Sequence, residues 1–146
     1  MVEMTFNQAL IFLPMLVVVA LTIVAFIRLA YVRVRTLRMR EMPLKYYTAF
    51  QGGTEPEYVT IAARHYMNLF EAPVVFYLAC LTAYTVEAVT PGIYFTAWAY
   101  VVFRLAQSAI HLTYNNVRHR AYVFFLGWIA LTVLWVQIAQ VILARI

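Results

Sequence analysis

The sequence predicts an all-α integral membrane protein, a single domain over residues 1–146 built as a bundle of four transmembrane helices. Composition is the first reason. Of 146 residues, 65% belong to the apolar set and only 12% are charged, with a mean hydropathy of +0.79. A soluble domain runs near half apolar and a quarter charged, so this chain could not cover its own surface with polar side chains. The second reason is spacing: the apolar residues fall into four runs, each close to the roughly 20 residues that cross a bilayer as a helix. These runs are apolar all round. A lipid-embedded barrel would instead need segments of about ten residues that alternate apolar and polar. Cys80, the one cysteine, can form no internal bridge and reads as a small hydrophobe.

The first span is expected over about 9–31, an apolar run from Ala9 to Ile27 with Pro14 early and Arg28 at its far end. The preceding MVEMTFNQ carries Glu3 and no basic residue, so a cleaved signal peptide is not expected. The second span is expected over about 58–86. Gly52 and Gly53 break the chain before it, and Thr54, Glu55, Pro56 and Glu57 fit a capping box with Thr54 as N-cap and Glu57 at N3. Pro73 should kink this span and free the carbonyl of Leu69. The third span, about 93–114, follows the turn signal Thr90-Pro91-Gly92, and the fourth covers about 121–143.

Basic residues are unevenly placed. Arg33, Arg35, Arg38, Arg40 and Lys45 separate spans one and two, and Arg118 and Arg120 separate spans three and four. The connection from Glu87 to Gly92 has none. By the positive-inside rule both basic loops are cytoplasmic and both termini lie on the opposite side. The surplus of 11 Lys+Arg over 6 Asp+Glu therefore reports orientation, and no nucleic-acid partner is expected.

Ionisable residues within membrane segments are costly and mark functional sites. Arg64, Asn68 and Glu71 recur at i, i+4 and i+7, one face of a helix. Arg104, Ser108, His111 and Asn115 form a second such stripe on span three. Arg104 lies 12 residues after Gly92, about 18 Å along at 1.5 Å per residue, which brings it to the depth of the first stripe. Arg118 and Arg120 open span four at the same end. The simpler readings are a packing pair between Arg64 and Glu71, solvated His65 and His119 near the interface, and loop arginines that set topology or meet lipid headgroups. They account for single residues better than for arginines, a glutamate, asparagines and a histidine gathered at one depth. Such a surplus of guanidinium suits an anion bearing carboxylate or phosphate, with Glu71 available for an ammonium on the same ligand. No metal-ligating role is assigned.

The segment R64-H-Y-M-N68-L-F-E71-A-P, followed by R104-L-A-Q-S-A-I-H111-L-T-Y-N115-N-V-R118-H-R120, resembles the MAPEG family. These are the membrane-associated proteins of eicosanoid and glutathione metabolism, including microsomal glutathione transferases, microsomal prostaglandin E synthase and leukotriene C synthase. The likeness covers nearly the whole chain and is nearest to bacterial members, which implies a bacterial inner membrane. It implies a homotrimer with glutathione bound between neighbouring subunits near the cytoplasmic side. It further implies that Arg64, Asn68 and Glu71 bind the charged ends of glutathione, that Arg104 and His111 line the same pocket, and that Arg33 reaches it from an adjacent subunit. The thiol-activating arginine would be Arg120, with Arg118 as second choice. The partners implied are glutathione as co-substrate, a lipophilic substrate arriving from the bilayer, and membrane lipids.

The function expected on these grounds is a glutathione-dependent transferase, or a peroxidase, acting on lipophilic electrophiles. Some relatives carry a serine after the activating arginine, a tyrosine three residues later and a tyrosine in span three. This chain has Ala121, Phe124 and His111 at those places. A non-catalytic lipid- or fatty-acid-binding protein of the same fold is the alternative. A haem carrier using His65 and His111, and a small channel or transporter, are further readings.

Overall fold

The computed structural model describes residues 6–50 and 53–146, and among these it is helical with no strand. A short 3-10 turn, Gln8–Ile11, leads into α1 (Phe12–Arg38). Then come the four-residue α2 (Tyr46–Ala49), α3 (Glu57–Asn68), α4 (Ala72–Thr85), α5 (Pro91–Leu112) and α6 (Val117–Leu143). Glu3 and Gly52, used above as sequence signals, lie outside the described residues.

Three stretches are long and apolar enough to cross a membrane: Gln8–Arg38, Glu57–Thr85 taken across its break, and Val117–Leu143. The chain is thus an integral membrane protein with a helical bundle. The 22-residue α5 occupies the expected third position but is less apolar, because Arg104, Gln107, Ser108 and His111 all lie on it and are all buried.

Several boundaries differ from expectation for identifiable reasons. Helix α1 does not end near residue 31; it continues to Arg38, so Arg33, Arg35 and Arg38 stand on its last turns and only Arg40 and Lys45 belong to the loop. Arg28 is consequently interior to the helix. The capping box does not form. Helix α3 begins at Glu57 with Pro56 at the N-cap and no side-chain cap, because proline, with φ already set near the helical value and no N–H to satisfy, starts a helix readily. The second span is broken outright into α3 and α4. Glu71, with φ −96° and ψ −100°, sits at the break with Pro73 just inside the start of α4. Proline cannot donate to the carbonyl a turn behind it, so the ladder stops there. Arg64, Asn68 and Glu71 therefore do not share one helical face; only the first two do.

The turn signal at Thr90 holds, and the fourth helix starts at Val117, four residues before the expected 121. The Thr90 side chain accepts a hydrogen bond from Ile93 N with Pro91 as the first helical residue of α5. Asn116 caps α6, its side chain accepting from Arg118 N and His119 N at 3.0 and 3.2 Å. The preceding Asn115 takes the left-handed φ of 43° and donates its N–H to Ile110 O, 2.8 Å away. This reverses the chain between two long helices within four residues.

The apolar core fills the end of the bundle away from the two basic loops, with Ile11, Val18, Phe76, Cys80, Val101, Leu131, Leu134 and Ile138 in one cluster. Phe76 and Tyr100 stack there, ring centroids 4.4 Å apart. That end is also tied by hydrogen bonds: Gln8 donates to Val89 O at 3.1 Å and accepts from Val89 N at 2.8 Å. Arg145 donates to the carbonyls of Val86 and Glu87, just past the end of α4. Outward faces of α1 and α6 are apolar and exposed, among them Ile23, Val24, Phe26, Ile27, Phe125, Ile129 and Val136, as lipid contact requires.

At the reversal between α5 and α6, Asn116→Ala should lower stability by about 1 kcal/mol, the usual worth of an N-cap, whereas Asn116→Asp should be nearly neutral. Thermal unfolding in detergent of both variants checks this.

Candidate functional site

The polar residues gather at the basic end of the bundle, where α3 stops, α5 ends and α6 begins. The break after Asn68 leaves backbone carbonyls without helical donors. Arg104, 4% exposed, reaches across from α5 and donates through Nη2 to the Asn68 carbonyl, while its Nη1 donates to Gln107 Oε1 at 2.6 Å. One guanidinium fork thus joins the broken segment to α5 and brings Asn68 and Arg104 to one level. The carbonyl taken up is that of Asn68, not the Leu69 carbonyl expected from Pro73.

Arg120 stands in the first turn of α6, half-buried. Its Nη1 donates to Asn115 Oδ1 at 2.9 Å and lies 3.5 Å from His111 Nδ1. A cavity of about 230 Å³ opens beside it, lined by Asn68, Gln107, Val117, Arg120, Ala121 and Phe124. The structure therefore brings together Asn68, Arg104, His111 and Arg120. Arg118 is on the same turn but exposed; its backbone N–H donates to Asn116 Oδ1, and its side chain makes no hydrogen bond or ion pair among the described residues.

Arg64 and Glu71 are both exposed on the outside of the chain and do not pair with each other. Among the described residues the one ion pair within 4.0 Å joins Arg33 Nε to Glu55 Oε1, 3.7 Å apart. Arg33 is therefore turned toward the chain between α2 and α3, its guanidinium also 5.5 Å from the centroid of the Tyr47 ring. Burial, and then the Glu55 carboxylate, push the Tyr47 phenol above its usual 10.0. Beside this group, Thr36 and Tyr58 hydroxyls lie 2.7 Å apart and Tyr58 donates to Glu41 at 2.6 Å, fastening α3 to the end of α1.

Four residues at this end have a place that the sequence reading did not give them. His65 was expected at the interface but is 3% exposed, its ring 5.3 Å from that of His111; the signal was its position one residue after Arg64, which turns it from the outer face into the bundle. Gln107 sits one turn after Arg104 and holds it. Asn115 belonged to the polar stripe but received no role, and it anchors Arg120. Arg28 was taken for the end of a span, because apolar content alone cannot show that a helix runs on through a basic stretch. His119 is exposed, as expected.

Arg104→Lys keeps the charge but cannot serve Asn68 O and Gln107 Oε1 with a fixed fork. It should lower stability by about 1–3 kcal/mol, the cost of leaving a buried polar group without its partner, and unfolding of detergent-solubilised protein measures it.

No curated protein and no solved structure matches the chain. One family model does, and it covers residues 11–140, which include every residue placed above at the basic end of the bundle. The chain belongs to the MAPEG family.

Proposed function

We propose that the protein is a glutathione-dependent membrane transferase that joins the glutathione sulfur to lipophilic electrophiles. Membership in a family of glutathione and eicosanoid metabolism supports the ligand class. The single observation that carries the reading is Arg120: a half-buried guanidinium, held by Asn115 and His111 beside a 230 Å³ cavity, with no carboxylate partner among the described residues. Such a group is free to face an incoming anion. A nearby guanidinium in a low-dielectric site favours thiolate over thiol, and the thiolate is the nucleophile. The thiol proton leaves to solvent. The sulfur then forms a bond to the electrophilic carbon, and the leaving group departs with the bonding electrons.

In this reading all four long segments span the bilayer, α5 included, with the basic end in the cytoplasm as the positive-inside rule requires. Three copies assemble so that Arg64 and Glu71, exposed on the protomer, are covered at a subunit boundary where they take the charged ends of glutathione. Arg33 would leave Glu55 to reach the ligand bound against a neighbour. Arg104 keeps Asn68 in place, and the electrophile enters laterally from lipid. Glutathione binding then holds the sulfur at the mouth of the cavity, so that positioning supplies much of the rate.

One feature favours the non-catalytic alternative: the cavity wall next to Arg120 is Ala121 and Phe124, which offer no hydroxyl to a thiolate. Kinetics separate the two. With a soluble chloronitrobenzene as electrophile, Arg120→Ala should lower kcat/KM by about 10²-fold or more, as for loss of one group that stabilises developing charge. Arg118→Ala should stay within a few-fold of the unchanged protein. Equal activity in Arg120→Ala would remove its role, and no conjugation by any form while glutathione still binds would favour the non-catalytic reading.

A further inference from the structure

The outward face of α1 carries a groove that the proposed transferase chemistry does not use. Ile27, Ala30, Tyr31, Val34, Arg35 and Arg38 line it, around a volume of about 580 Å³. These positions recur at intervals of three and four residues, so they form one stripe along the helix. Ala30 makes the dip, because it has only a methyl group where Ile27, Tyr31 and Val34 beside it carry larger, exposed side chains.

The stripe changes character along its length. Its first part is apolar apart from the Tyr31 hydroxyl, and Arg35 and Arg38 close it in the last turn of α1. Both arginines are exposed, and no carboxylate lies within 4.0 Å of either among the described residues. Depth explains the change. The membrane stretch Gln8–Arg38 has 31 residues, about 46 Å at 1.5 Å per residue. That matches a bilayer with its headgroups, of which only roughly 30 Å is hydrocarbon. The surplus puts about 8 Å, or about five residues, of each end among the headgroups. Arg35 and Arg38 are thus at headgroup level, and Ile27, Ala30 and Tyr31 are at the level of the acyl chains.

A phospholipid meets both halves of such a groove at once. Its acyl chain lies against the apolar dip, and its phosphate oxygens accept from guanidinium N–H groups in paired hydrogen bonds. Two free cations exceed the single negative charge of the phosphodiester. A headgroup that brings an ammonium of its own is therefore a poorer match than one that adds no positive charge.

We propose that this groove binds one anionic phospholipid, with its phosphate on Arg35 and Arg38 and one acyl chain across Ala30. The site needs only the membrane setting of α1, and neither glutathione nor a trimer enters it.

Delipidated full-length protein in an uncharged detergent tests the site, titrated with phosphatidylglycerol or with phosphatidylcholine of the same acyl chains. Native mass spectrometry counts the retained lipid, and thermal melting reads its affinity. One phosphatidylglycerol per chain should be retained in preference, with a saturable rise in melting temperature that phosphatidylcholine does not match. The double variant Arg35→Gln/Arg38→Gln should weaken phosphatidylglycerol binding by about 30-fold, about fivefold for each basic residue at a charged lipid surface. Arg40→Gln/Lys45→Gln takes the same charge from the adjoining loop and should stay within a few-fold of the unchanged protein. Ala30→Trp fills the dip and should lower phosphatidylglycerol retention with both arginines present. Arg35 and Arg38 also complement the carbonyl end of α1, an effect that does not depend on the lipid, so the difference between the two lipids in each protein isolates the headgroup. Equal retention of the two lipids, an equal loss in the two double variants, or full retention in Ala30→Trp overturns the proposal. Inorganic phosphate separates a lipid from a free anion: no shift from millimolar phosphate supports the lipid site, and a saturable shift equal to that of phosphatidylglycerol overturns it.

Discussion

Arg104 holds the basic end of this bundle together. Pro73 and the bend at Glu71 interrupt the second membrane segment in mid-course, and a broken helix in a low-dielectric medium must have its loose carbonyls answered from elsewhere. A single guanidinium answers the Asn68 carbonyl and is itself held by Gln107. That contact fixes the relative level of α3 and α5, and with it the level at which Asn68, His111 and the head of α6 meet. Without the fork the carbonyl of Asn68 at the break would lack this partner.

The electrostatics follow from the same shortage of acids. The chain has 11 Lys+Arg and 6 Asp+Glu, and of the acids near this end Glu55 and Glu41 are engaged by Arg33 and Tyr58. Arg28, Arg104 and Arg120 are left with amide, carbonyl or imidazole contacts, or with none. A bundle that keeps cations in its interior without carboxylates spends folding free energy to do so. An anionic ligand would recover part of that energy on binding, and the proposed stabilisation of a thiolate is the same interaction applied to sulfur. The opposite end is apolar and packs around Phe76, Tyr100 and Leu134.

Membrane character, the helical fold and the family were legible in the sequence, because they rest on bulk hydropathy and on a pair of spaced polar stripes. The turn at Thr90 was legible, since a cap is local chemistry, whereas the Asn116 cap was not read and the fourth helix starts at Val117 rather than near 121. What failed were features decided by the rest of the fold. A face drawn at i, i+4 and i+7 assumes an unbroken helix, and Glu71 leaves that face once the helix stops at Asn68. Whether His65 looks outward or inward depends on a rotation of α3 by a single residue. Arg28 read as a terminus because hydropathy drops there, although the backbone continues for ten residues. Arg33 was expected to be free for a ligand, and its contact with Glu55 came from a loop whose path no local pattern encodes.

The thiolate itself is the most direct observable. Glutathione titrated into the purified protein at neutral pH should produce a near-ultraviolet thiolate band that grows saturably, with the bound thiol ionising well below the value of about 8.5 typical of a free cysteine thiol. Glutathione that binds to saturation while its thiol stays protonated would contradict the account, because the unpaired cations of this site would then not act on the sulfur.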